Sequence, residues 1–277
     1  MMKNKKSLFV NCLIPVLILI ISQIISQEFA KILNKIIKFE FISNVFSGIL
    51  YVTICYFLLQ LFSEKKLNKK IESFNIKMEK INLYWFILAI LLPTVVVIVY
   101  LLLFDGNFVE NPSLINSKLQ IISSGIFYTG LGAGIVEEMV FRGFILNLLK
   151  EKYNIKIAII LPSLIFGLLH IIGIPFNILT YMQIIFAGTL VGIMFSLISI
   201  KENNILASSL VHSFWNIFII GGILNIGTEF NKYSIYNYIL KNKNILFTGG
   251  EFGIEISIIS IVSYMIVIYL VFKSLKK

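Results

Sequence analysis

The sequence predicts an all-α protein, a polytopic membrane helical bundle of about eight transmembrane helices. Three observations carry that expectation. The chain of 277 residues is 58% hydrophobic and only 14% charged, far less charge than a soluble domain of this length carries. Its apolar residues collect into long runs, and a run of about 18 or more with few charges can span a bilayer as a helix. The lysines gather between the runs, where they set orientation.

The runs, in order, are Leu8–Ser26, Phe41–Phe62, Tyr84–Phe104, Ile121–Leu149, Ile157–Ile174, Ile178–Ile200, Ile205–Ile226 and Ile254–Phe272. They form one integral-membrane domain over residues 1–277, with no soluble domain attached and no repeat at a fixed period. The first run follows a lysine-rich start but is long and lacks a small-x-small cleavage site, so it reads as an uncleaved helix. After the second run, NKKIESFNIKMEKI places Ile71, Phe74, Met78 and Ile81 near one helical face. That spacing predicts a helix lying on the membrane surface. Cys12 and Cys55 both fall inside apolar runs and give neither a disulfide framework nor a cysteine metal site.

A net charge of +10 does not point to nucleic acid here. Lysines 3, 5 and 6 precede the first run, and lysines 65, 66, 69, 70, 77 and 80 follow the second. Lysines 150, 152 and 156 follow the fourth, and lysines 273, 276 and 277 follow the last. This alternation puts both termini in the cytoplasm and the lysines against anionic headgroups of the lipid bilayer. Lys31, Lys35 and Lys38, with Lys232, Lys241 and Lys243, argue more weakly for the reverse. The abundance of lysine, isoleucine and asparagine points to an AT-rich bacterial genome, hence a multi-pass protein of a bacterial cell membrane.

Inside the runs, ionisable residues are few. Each costs about 2.5–3.5 kcal/mol near mid-membrane, so it faces the bundle interior and takes a partner. The fourth run holds Glu137, Glu138 and Arg142. Residues four apart share a helix face, whereas neighbours diverge by about 100°. Glu138 therefore meets Arg142 as a structural ion pair, and Glu137 points elsewhere without a local partner. Arg142 is the only arginine in a chain otherwise built on lysine, which points to a bidentate carboxylate contact that lysine cannot make. The two histidines, His170 and His212, are also inside apolar runs. Phe166 precedes His170 by four residues, and Asn216 follows His212 by four, on the same face. Gly130, Gly132, Ala133 and Gly134, with Gly167 and Gly173, would let these helices approach closely.

A lone membrane histidine is commonly an interhelical hydrogen bond. The combination of two histidines and an unpaired glutamate is harder to explain structurally, because intramembrane ionisable groups default to function. Counted at 1.5 Å per residue, His212 lies about 11 Å and His170 about 20 Å from the cytoplasmic ends of their runs. They reach one site only if tilts or boundaries differ from this count.

The series Glu137–Glu138–x–x–x–Arg142, Phe166–x–x–x–His170 and His212–x–x–x–Asn216 resembles the motifs of the CAAX protease and bacteriocin-processing (CPBP, or Abi) family of intramembrane endopeptidases. The resemblance covers a protease core at about 121–226. It implies a helical bundle with a water-filled cavity open toward the cytoplasm, and endoproteolysis of a membrane-associated peptide or protein. In eukaryotic members the substrate is a prenylated CAAX tail, and some bacterial members process bacteriocins or give immunity to them. The family is labelled metalloprotease, and a metal-free glutamate mechanism has also been put forward for it.

Peptide hydrolysis needs an activated water and donors for the oxyanion. Without metal, Glu137 is the general base, assisted by His170, while His212 and Asn216 donate. With zinc as cofactor, Glu137, His170 and His212 are the ligands, which uses up the unpaired carboxylate and so disfavours this scheme. Two other classes compete: a non-catalytic immunity or regulatory protein retaining the fold, and a proton-coupled transporter using the same residues as a relay.

Overall fold

The computed structural model describes residues 5–112 and 115–275; lysines 3, 276 and 277 lie outside the described residues. The helices are α1 (Lys5–Ile37), α2 (Glu40–Lys66), α3 (Leu83–Leu103), α4 (Ser117–Lys150), α5 (Ile155–Leu169), α6 (Ile178–Glu202), α7 (Leu206–Ile220) and α8 (Ile258–Leu275). Among the described residues, six are long and apolar enough to cross a membrane, and α5 and α7 are shorter apolar helices. Their outward faces expose Phe9, Ile24, Ile87, Leu102, Met182 and Tyr269, as contact with lipid requires. The chain is an integral membrane protein and a polytopic helical bundle.

The sequence expectation needs three corrections. First, α1 continues past Ser26 to Ile37, because the polar residues after Ser26 are good helix formers. Second, the surface helix at 68–81 is not formed. Only a 3₁₀ turn, Ile71–Phe74, appears, and it ends at Asn75 in a left-handed conformation (φ 60°). Ile71, Phe74 and Ile76 bury inward while Met78 is exposed, and Phe74 stacks on Phe144 at 4.1 Å. Burying these side chains in the bundle outweighs a helix on the surface. Third, a small sheet is added. Strands β1 (Gly106–Glu110), β2 (Leu224–Gly227) and β3 (Tyr236–Leu240) lie in the order β1-β3-β2. β1 pairs antiparallel with β3, and β2 pairs parallel with it.

The sheet marks one end of the bundle. There Asn111 Nδ2 donates to the Ser234 carbonyl, and Gln183 Nε2 to the carbonyls of Ile245 and Ile256. The opposite end carries the lysine-rich connections, tied together where Asn204 Nδ2 donates to the Lys77 carbonyl and Lys69 pairs with Glu151.

Two apolar cores fill the bundle. One gathers Trp85, Tyr100, Ile184, Phe195, Trp215 and Tyr264 from α3, α6, α7 and α8. The other gathers Tyr51, Leu59, Phe141, Phe144 and Phe166 from α2, α4 and α5. Val191 of α6 packs against both, and helix α4 belongs to the second. It is π-helical at Ser124–Ala133 and Met139–Ile145, on either side of an α-helical turn at Gly134–Glu138. Such π stretches often accompany functional sites. Glycines permit the packing expected of them: a Cβ on Gly134 would lie 2.8 Å from the Ser213 backbone nitrogen on α7, and one on Gly167 2.8 Å from the Ile185 carbonyl on α6. Gly173 is different. It has open space around it and φ +86°, and so turns the chain after α5 rather than packing a helix.

Candidate active site

Glu138 is fully buried, and two groups converge on its Oε1. Arg142 Nη1 donates to it at 2.6 Å and His212 Nδ1 at 3.0 Å. The Glu138–Arg142 pair expected from the i, i+4 spacing is therefore formed, but Glu138 also holds a histidine from α7. The expected bidentate fork is not formed. Arg142 Nη2 instead donates to the Gly192 carbonyl of α6 at 3.2 Å. The guanidinium also lies over the rings of Phe166 (4.8 Å) and Phe195 (5.2 Å), where cation–π attraction in a desolvated setting is worth about 2 kcal/mol. Arg142 thus ties α4 to α5 and α6, and its flat, delocalised cation suits these contacts better than an ammonium would.

A carboxylate can only accept, so His212 Nδ1 carries the hydrogen. The ring therefore presents Nε2 to the interior, 3.7 Å from Glu137 Oε2. That separation is too long for a direct hydrogen bond and lets both atoms reach one water lying beside them. Phe195 stacks on the His212 ring at 4.6 Å and fixes its plane. Glu137 keeps 22% of its side chain exposed, in contrast to the buried Glu138.

His170 caps α5 and hydrogen-bonds through Nδ1 to the Phe166 carbonyl at 2.7 Å. A carbonyl accepts, so Nδ1 is again the donor and Nε2 is left free. The two histidines do not meet directly. Phe166 stands between them, 4.4 Å from the His170 ring and 6.1 Å from the His212 ring. The different depths counted from the sequence are reconciled in this way: α5 and α7 are both short, and the rings line one cavity at different levels. Asn216 Nδ2 donates to the Thr129 carbonyl on α4 at 3.1 Å, which uses one of its two amide hydrogens.

Glu137, His170, His212 and Asn216 line a common cavity of about 280 Å³. Phe252 and Glu255 line it too, and the sequence reading singled out neither. Glu255 could have been found, because it sits at the start of an apolar run, GIEISIIS, where an ionisable residue is a functional candidate by rule. Phe252 gives no signal, since only the fold turns it inward. Among the described residues no three His, Cys, Asp or Glu side chains gather closely enough to hold a metal ion. As arranged, Glu137, His170 and His212 do not fit a three-ligand zinc site.

The comparisons with known proteins agree with the residues. A family model described as Type II CAAX prenyl endopeptidase Rce1-like matches residues 119–218, which include all three motifs, and the match is consistent with the CPBP family. The comparison with curated proteins and that with solved structures gave no match.

Proposed function

We propose that this chain, whose residues 119–218 carry an Rce1-like domain from a family of intramembrane CAAX endopeptidases, hydrolyses a peptide bond of a membrane-associated peptide or protein with Glu137, His170, His212 and Asn216. One observation carries the reading. Glu137 is a cavity-facing carboxylate next to His212 Nε2, while Glu138, itself paired with Arg142, holds that histidine from behind.

In this scheme a water between Glu137 and His212 gives its proton to Glu137 as its oxygen attacks the carbonyl carbon. The oxyanion accepts from the second amide hydrogen of Asn216 and from the His212 ring. As the C–N bond breaks, the proton held by Glu137 passes to the leaving amine. His170 lines the same cavity and assists from its wall. No step is routed through a metal, because the donors as arranged do not make a three-ligand set.

Orientation follows from charge. With the lysine-rich end in the cytoplasm, the sheet-bearing end faces outward. The cavity adjoins that end through Phe252 and Glu255. Peptide then arrives from the non-cytoplasmic side, contrary to the cytoplasmic opening that the family resemblance implies.

The test is Glu137→Gln in the full chain, reconstituted in liposomes and given a pool of synthetic peptides analysed by mass spectrometry. Cleavage should disappear while the melting temperature is kept. Unchanged cleavage by the variant would remove Glu137 from the reaction.

A further inference from the structure

The catalytic cavity is not isolated. A second, larger cavity of about 700 Å³ lies at the sheet end, lined in part by β2, Glu229, Lys232 and Glu251. The two share three lining residues, Ile220, Phe252 and Glu255, which form the neck between them.

Glu255 is held at this neck with unusual care for a residue outside the motifs. Three consecutive carbonyls are each pinned by a buried side chain. Ser260 Oγ donates to Ile254 at 2.7 Å, the Tyr264 hydroxyl to Glu255 at 2.9 Å, and Gln183 Nε2 to Ile256 at 3.3 Å. Gly249 and Gly253, both at positive φ, fold the preceding turn back on itself. The backbone is thus fixed, yet among the described residues no hydrogen bond or ion pair holds the Glu255 carboxylate. It is enclosed by protein while part of its surface remains open to the cavities. Burial, with the charge of Glu137 adding to it, pushes its carboxyl up to about 8, and a cation brought beside it favours the ionised form. A structural carboxylate would have a partner, and a pinned backbone under a free carboxylate is the arrangement of a preorganised recognition group. In a chain of net charge +10, the outer cavity is lined by Glu229, Glu251 and Glu255 against Lys232, so its acidity complements a cation.

We propose that Glu255 reads the substrate, pairing with a lysine or arginine side chain of a peptide that passes from the outer cavity toward Glu137. The proposal rests on the endopeptidase reading above and adds the substrate class. The alternative role, proton donor to the leaving amine, requires reach to the scissile bond. The position at the neck favours recognition instead.

The experiment uses the full chain in phosphatidylcholine nanodiscs, which removes anionic lipid as a competitor. Glu137→Gln protein is offered a pool of random dodecapeptides, and the bound fraction is sequenced by mass spectrometry. Lysine and arginine should be enriched, and adding Glu255→Gln should reduce that enrichment at least about tenfold, as expected when one partner of a desolvated charge pair is removed. Glu28→Gln, on the exposed face of α1 away from both cavities, should keep it, and Glu255→Lys should enrich acidic residues instead. No enrichment, or enrichment that survives both Glu255 variants at an unchanged melting temperature, would overturn the proposal. A cleavage arm separates the two readings. Basic enrichment with no peptide cleaved by the unmodified chain would sink the endopeptidase reading alone. Cleavage indifferent to basic residues, or slowed uniformly by Glu255→Gln whatever the peptide's charge, would sink this one alone.

Discussion

Replacing Glu138 with glutamine separates its two jobs, neutralising Arg142 and holding His212. Both hydrogen bonds converge on a single oxygen, Oε1, at 2.6 Å and 3.0 Å, and glutamine retains an oxygen there. Geometry can therefore survive while the charge is lost. Arg142 is 1% exposed, and its remaining contacts, the Gly192 carbonyl and the aromatic faces, are uncharged. Leaving a buried charge uncompensated costs about 3–5 kcal/mol. The new amide nitrogen makes matters worse, since it lies where Oε2 has no hydrogen-bond partner. At about 2–4 °C per kcal/mol for a chain of this size, the apparent melting temperature should fall by roughly 6–20 °C. The fall can be read in detergent from the fluorescence of the buried Trp85 and Trp215. The double variant Glu138→Gln/Arg142→Met then removes the orphaned cation. Most of the stability should return, while peptide cleavage stays down by at least about a hundredfold because His212 has lost the carboxylate behind it. A double variant that recovers both stability and cleavage would reduce Glu138 to a counter-ion and refute this reasoning.

Three further outcomes are expected. Gly134→Ala places a methyl 2.8 Å from the Ser213 backbone nitrogen, next to His212, so it should cost about 1–3 kcal/mol by overpacking and impair cleavage; normal activity would mean that α7 can yield without disturbing the site. Protein purified without added metal should contain far less than one zinc per chain by elemental mass spectrometry and ignore chelators, whereas stoichiometric zinc with chelator-reversible loss of activity would restore Glu137, His170 and His212 as ligands. For orientation, in a background lacking Cys12 and Cys55, a membrane-impermeant maleimide on intact cells should label Tyr233→Cys at the sheet end but reach Met78→Cys only after permeabilisation; the opposite pattern would invert the proposed topology.

What the sequence determined by itself is what one helix can express. Run length and composition gave membrane-spanning helices, because the bilayer is a solvent whose thickness is read directly in residues. The 3.6-residue period paired Glu138 with Arg142, set Phe166 under His170 and put Asn216 on the face of His212, because these contacts are local. Only the tertiary structure decided the rest. Arg142 splits its fork because Gly192 on α6 happens to face it, and Glu138 holds His212 because α4 and α7 approach over Gly134. The sheet forms from short segments rich in asparagine and tyrosine, and β1 finds its partner more than a hundred residues away, Gly106 with Leu240 for instance. Glu255 joins the site from the far end of the chain through a pinned turn. Such contacts depend on how helices pack, and no periodicity within a single segment encodes which distant segment will lie against it.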